Sequence, residues 1–166
     1  MKKKDGRSFL ILGVGNILLG DEGLGVRAVE YISRRYVLPP EVTAVDGGTG
    51  ALKLLSLLKN YTHVIIIDAV SSRSSPGTIY RIPAEDLPGA PRPLTTAHDI
   101  GITDLLAMAR LEGMEAEVVV FGMEPAHIRP GLELSAGVAS KLPRVAELVA
   151  GELKALGVEL KERSGA

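Results

Sequence analysis

Glu22, Asp68 and His98 are the side chains of this sequence best suited to act together. Two carboxylates and one imidazole form an oxygen-rich, borderline donor set that accepts nickel, zinc, cobalt or manganese. Three protein ligands leave coordination positions open for water or for a group on a partner. Glu22 closes a loop after one apolar run, and Asp68 directly follows Ile67 at the end of another. His98 stands in Thr95-Thr96-Ala97-His98-Asp99-Ile100-Gly101, just ahead of a helical stretch. Each residue also has a plainer role open to it. Glu22 favours a helix N-terminus, Asp68 caps a turn, and His98 enters a helix with Asp99 as N-cap.

The loop that carries Glu22 begins like a phosphate-binding turn and then departs from one. Gly13 and Gly15 allow a sharp turn after the apolar run. A dinucleotide site wants a third glycine three residues on, at a helix N-terminus with bare N–H groups. Leu18 occupies that place, and Asp21-Glu22 follows, which repels phosphate and suits a cation. Asp46, ahead of Gly47-Gly48, has three readings: a ribose contact, a carboxylate orienting its own turn, or a supporting member of the same cleft. A nucleophilic triad of Ser71 or Ser72 with His98 and Asp68 lacks the strained turn such a serine needs. His63 reads as a strand-edge residue. His127, in Pro125-Ala126-His127-Ile128-Arg129-Pro130, reads as a loop residue near the site or as surface decoration.

Composition narrows the classes. The chain has 166 residues with 46% apolar content, enough for one ordinary domain with a sizeable core. A net charge of −1 and 4% aromatic residues argue against a nucleic-acid face built on basic or stacking groups. The absence of cysteine removes disulfides, thiolate metal sites and cysteine nucleophiles together, and is compatible with a cytoplasmic location. Lys2, Lys3 and Lys4 ahead of the apolar stretch 9–19 imitate a signal peptide. Gly13, Gly15 and Asn16 interrupt that stretch and no cleavage signature follows, so a first strand behind a solvated basic tail is expected. No run is long enough to span a bilayer.

The elements that must position these residues alternate. Strands are expected at 9–14, 42–45, 63–68, 78–82 and 117–122, and helices at 23–35, 51–58, 101–111 and 136–156, the last interrupted by Pro143. Continuous apolar strands between helices predict a three-layer α/β/α fold with a twisted, mostly parallel sheet of about five strands. The strand at 78–82 reads as antiparallel, because only a tight turn precedes it. A single domain over residues 1–166 is expected, with mobile tails at 1–7 and 161–166. In such folds the site lies outside the carboxyl ends of the strands, which selects the loops after Val14, Val45, Ile67, Ile82 and Phe121.

Taken together, these residues resemble the hydrogenase maturation endopeptidases, which remove the C-terminal extension from the [NiFe]-hydrogenase large-subunit precursor. The resemblance covers most of the chain. It rests on Gly13-Val14-Gly15-Asn16 with Leu19-Gly20-Asp21-Glu22-Gly23-Leu24-Gly25, on Asp46-Gly47-Gly48-Thr49, on Ile67-Asp68-Ala69, on Pro76-Gly77-Thr78 and on His98-Asp99-Ile100-Gly101. Gly122-Met123-Glu124-Pro125 and Leu134-Ser135 match in order and spacing. The resemblance implies that Glu22, Asp68 and His98 recognise the metal and serve catalysis, with Asp46 in the same cleft. It implies nickel carried by the substrate precursor and no organic cofactor. The family often carries Gln-Leu where Asp99-Ile100 stands here, which bears on which precursor is served. The partner expected is the large-subunit precursor, with no nucleic acid and no membrane, and the chain is expected to be a monomer. A water activated by a carboxylate or the metal is the expected attacking group. Two other classes stay open: a nickel delivery or sensing module without peptidase activity, and a nucleotide-binding doubly wound enzyme.

Overall fold

Central strands buried on both faces and helices buried along one stripe drive this chain into three layers. A computed structural model describes residues 6–87 and 101–165. In chain order the elements are β1 (Phe9–Val14), α1 (Leu24–Arg35), β2 (Tyr36–Val37), β3 (Val42–Gly48), α2 (Ala51–Leu58), β4 (His63–Ala69), β5 (Ile79–Pro83), α3 (Ile102–Leu111), β6 (Glu117–Met123), α4 (Ala136–Ala139), α5 (Leu142–Ala155) and β7 (Lys161–Glu162). Short 3-10 turns occupy Asp21–Gly23 and Ala84–Asp86.

The central sheet has five strands in the order β3-β1-β4-β6-β5. The first four are mutually parallel, and β5 runs antiparallel to β6. Alternation along each strand feeds two cores. Phe9, Ile11, Ile65, Ile67, Val119 and Phe121 pack with residues of α1 and α5. Leu10, Leu12, Val64, Ile66, Val118 and Val120 pack with residues of α2 and α3 on the other face. Burying such a side chain contributes about 1.5–3 kcal/mol, so both faces must be covered for the sheet to persist.

The expected architecture is therefore the observed one, with local differences. The second strand extends to Gly48, because β3 follows β1 through a bulge to pair Val14 with Gly48. Because β5 is antiparallel, Pro83 lies opposite Val119 and Ile79 opposite Met123. The loop after Ile82 thus leaves from the edge opposite the other four and is not part of the site edge. The expected helix at 136–156 is broken between α4 and α5, and Pro143 sits in the first turn of α5, where its missing N–H costs nothing. Lys161–Glu162, expected within a frayed tail, pair antiparallel with Tyr36–Val37, and Arg35 binds Glu162 at 2.8 Å. No described helix is long and apolar enough to cross a membrane.

One close approach fixes where the first loop can go. A Cβ built on Gly25 would stand 2.1 Å from the Ile67 carbonyl oxygen and 2.4 Å from that of Val14. Only glycine lets the start of α1 lie against the ends of β1 and β4, and that contact brings the turn at Asp21–Gly23 to the end of β4.

Candidate functional site

The strand ends of β1, β3, β4 and β6 lie along one edge, and Glu22, Asp46 and Asp68 are distributed over it. After β1 the chain turns at Gly15, which has φ 135° and donates its N–H to the Gly48 carbonyl at 3.0 Å. A Cβ at Gly15 would stand 1.9 Å from the Glu22 carbonyl oxygen. This glycine therefore serves the close return of its own loop, where a phosphate-binding turn would use it to admit a ligand.

The return splits the adjacent carboxylates Asp21 and Glu22. Asp21 is fully buried. It accepts hydrogen bonds from the N–H of Ala126 at 2.9 Å, the N–H of Ser135 at 2.7 Å and the Ser135 hydroxyl at 2.8 Å, with the N–H of His127 at 3.5 Å. Burial opposes its charge, but these donors outweigh it and hold the carboxyl below its ordinary range. Sequence reading placed Asp21 only as the neighbour of Glu22; its role is to tie the first loop to the loop after β6. The signal for it was present in Glu124-Pro125, which directly precedes its donor Ala126, and in Leu134-Ser135, which contains its donor Ser135.

Glu22 is half-buried and faces Asp68 electrostatically. Asp68, half-buried at the end of β4, accepts the N–H of Ala69 at 2.8 Å. Its carboxyl is pushed up to about 7: burial is the main cause, the Ala69 hydrogen bond opposes it, and the negative charge of Glu22 adds to it. The structure thus brings two of the expected residues together, from sequence positions far apart. His98 lies outside the described residues. The helix it precedes in sequence, α3, runs back to end beside α2, where Glu112 pairs with Lys59, so its N-terminus is directed to the site edge. Among the described residues no group of three His, Asp or Glu side chains is arranged to hold a metal.

Asp46 is exposed, and its Oδ1 accepts the N–H of Gly48 at 2.9 Å, the turn-orienting role. Ser72 is engaged structurally: its N–H and hydroxyl donate to the buried Glu124 at 2.8 and 3.0 Å, and its hydroxyl meets Tyr80 at 2.5 Å. The N–H of Ser72 is the chief reason the Glu124 carboxyl lies below its ordinary range, and those of Ser74 and Arg73 add to it. Glu124, which sequence reading left without a role, thereby shapes the loop that follows Asp68. His63 stacks on Phe9 at 4.8 Å at the opposite end of β4, as a strand-edge residue would.

The raised Asp68 carboxyl makes a pH prediction. A group that holds its proton more tightly folded than unfolded supports the fold below about pH 4, and that support is lost as pH rises through about 7. Without metal, Asp68→Asn should therefore stabilise the protein at pH 8 by about 1–3 kcal/mol, with no gain at pH 4. Thermal melts of both proteins across that range check it.

Comparison with known proteins places the fold and the family. The family model described as hydrogenase maturation protease (HycI) matches residues 26–152, a span that includes Asp68 and His98 and begins just after Glu22. The Hydrogenase 2 maturation protease of Escherichia coli is 38% identical over 152 residues, covering 90% of this chain and 93% of that protein. The hydrogenase expression/formation protein HupD of Rhodobacter capsulatus is 35% identical over 156 residues, covering 91% and 73%. The solved structure of the hydrogenase maturating endopeptidase HybD from Escherichia coli superposes with a TM-score of 0.85 at 36% identity, covering 96% of this chain and 99% of that one. With its five-stranded sheet and the Glu22 loop set against the end of β4, this chain belongs to the hydrogenase maturation protease family and is a maturation endopeptidase.

Proposed function

We propose that this endopeptidase removes the C-terminal extension of a [NiFe]-hydrogenase large-subunit precursor, and that it recognises its substrate through nickel already seated there. Glu22, Asp68 and His98 complete the coordination of that nickel and dock the precursor. The observation that carries this reading is the convergence of Glu22 and Asp68 at one strand edge, where the negative charge of Glu22 disfavours that of Asp68. Two carboxylates facing each other gain most when a cation arrives between them. A set without thiolates holds a free ion loosely, so the metal must come with the substrate. Hydrolysis then adds a water oxygen to the scissile carbonyl carbon, breaks the C–N bond and delivers a proton to the leaving nitrogen. Asp68, poised near neutrality, is matched to take the water's proton.

The match to peptidases along nearly the whole chain favours this reading over a delivery or sensing module and over a nucleotide enzyme. The loop geometry at Gly15 weighs against the latter as well. The test compares nickel-loaded with nickel-free precursor. Shortening of the loaded form alone is expected; equal cleavage of both would remove nickel from the recognition step.

A further inference from the structure

We propose that a second cleft on the site edge seats a stretch of the precursor's own chain, placing one of its apolar side chains beside the catalytic carboxylates. The proposal rests on the reading above for the identity of the substrate. The cleft encloses about 380 Å³ and is lined by Gly20, His127, Arg129, Leu132, Glu133 and Leu134 among others. Its two walls are the loops after β1 and β6. They are stitched together by the N–H of Gly20 to the Gly131 carbonyl and the N–H of Gly131 to the Leu18 carbonyl, both at 2.9 Å. Asp21 anchors the same two loops from beneath. The wall that contributes Gly20 reaches Glu22 two residues later, so the cleft adjoins the loop that carries one of the two carboxylates.

Two independent features point to an occupant. The first is His127. Its Nδ1 is buried yet has no hydrogen-bond partner among the described residues. A buried polar atom left unpaired is costly, and such atoms usually find a partner in a ligand when the protein supplies none. The second is the rim. Leu18, Ile128 and Leu132 are 60%, 51% and 61% exposed, and all three sit on these two loops. They make up half of the six large apolar side chains exposed among the described residues. Apolar groups gathered beside a polar-lined cleft mark a contact surface.

The volume suits one or two side chains of an extended segment and is too small for a folded element. An apolar side chain answers the rim, and a main-chain N–H or a hydroxyl of the same segment answers Nδ1, which either ring tautomer can meet as acceptor or donor. A chain whose scissile bond lies at Glu22 and Asp68 passes this cleft within a few residues. The precursor segment adjoining the cut is therefore the occupant, and His127 is a specificity-determining residue.

The experiment measures steady-state cleavage of the nickel-loaded precursor by wild type, by His127→Phe and by the double variant Leu18→Ser/Leu132→Ser, with thermal melts and sedimentation of each. Expected is a KM raised ten-fold or more in both variants with kcat changed less than three-fold. His127→Phe should melt no lower than wild type, because it removes an unpaired polar atom. The exposed double variant keeps the test valid should phenylalanine not fit. An unchanged KM in the double variant overturns the proposal, as does a lowered melting point of His127→Phe with KM intact. A wild-type dimer that the double variant breaks, with KM unchanged, would assign the rim to a second copy of this chain and also overturn it. Failure of the wild type itself to cut the loaded precursor would count against the proposed function, a separate result.

Discussion

Replacing Asp68 with Asn, or Glu22 with Gln, should lower the rate of processing of a nickel-loaded precursor by about 10²–10⁴-fold while leaving the protein folded. The two substitutions keep shape and remove charge. Asparagine at 68 can still accept the N–H of Ala69, and the burial that now disfavours a carboxylate is relieved. The melting point at neutral pH should therefore hold or rise as activity is lost. That opposition between stability and activity is the signature of a strained functional group, and a merely structural carboxylate would not give it. His98→Gln belongs to the same set and should give a loss of similar size. The measurement is a gel-shift assay of precursor shortening beside a thermal melt of each variant. Normal processing by any two of the three would end the assignment.

The second large effect is on stability. Asp21→Ala should destabilise the protein by about 3–5 kcal/mol, since it leaves the N–H of Ala126, the N–H of Ser135 and the Ser135 hydroxyl without their buried acceptor. For a chain of this size that is a fall in Tm of about 6–20 °C. Because the folded carboxyl lies below its ordinary range, its contribution is present above about pH 4 and is lost as pH falls through the folded value. Wild type and variant should thus converge under acid. Asp46→Ala makes the contrast: its exposed carboxylate accepts only the N–H of Gly48, so a change within about 1 kcal/mol is expected. Denaturant melts of the two variants, side by side at pH 7 and pH 3, check both statements.

These two predictions divide the adjacent pair Asp21-Glu22 into a structural and a functional carboxylate. The division depends on which way each side chain leaves a 3-10 turn, and residue type does not encode it. Glu124 is a similar case. It directly follows β6, as Asp68 stands next to the last residue of β4, and the strand-end rule that selects one would have selected the other. In the folded chain it instead receives the N–H groups of the loop at 72–74. A carboxylate saturated by donors is held ionised and quiet; one that is buried beside another carboxylate is held near its titration point.

What the sequence determined by itself was the layered fold and the strand edge at which Glu22 and Asp68 come together. Those follow from local patterns: continuous apolar runs such as Val64-Ile65-Ile66-Ile67 must be buried on both faces, and the handedness of strand–helix units then puts their trailing residues on one side. Tertiary structure alone decided the pairing of β2 with β7 and the burial of Asp21. It also decided the raised proton affinity of Asp68 and the cleft around His127. Each of these arises from groups distant in the chain sharing one low-dielectric space, and burial and partnership are properties of that space rather than of any residue within it.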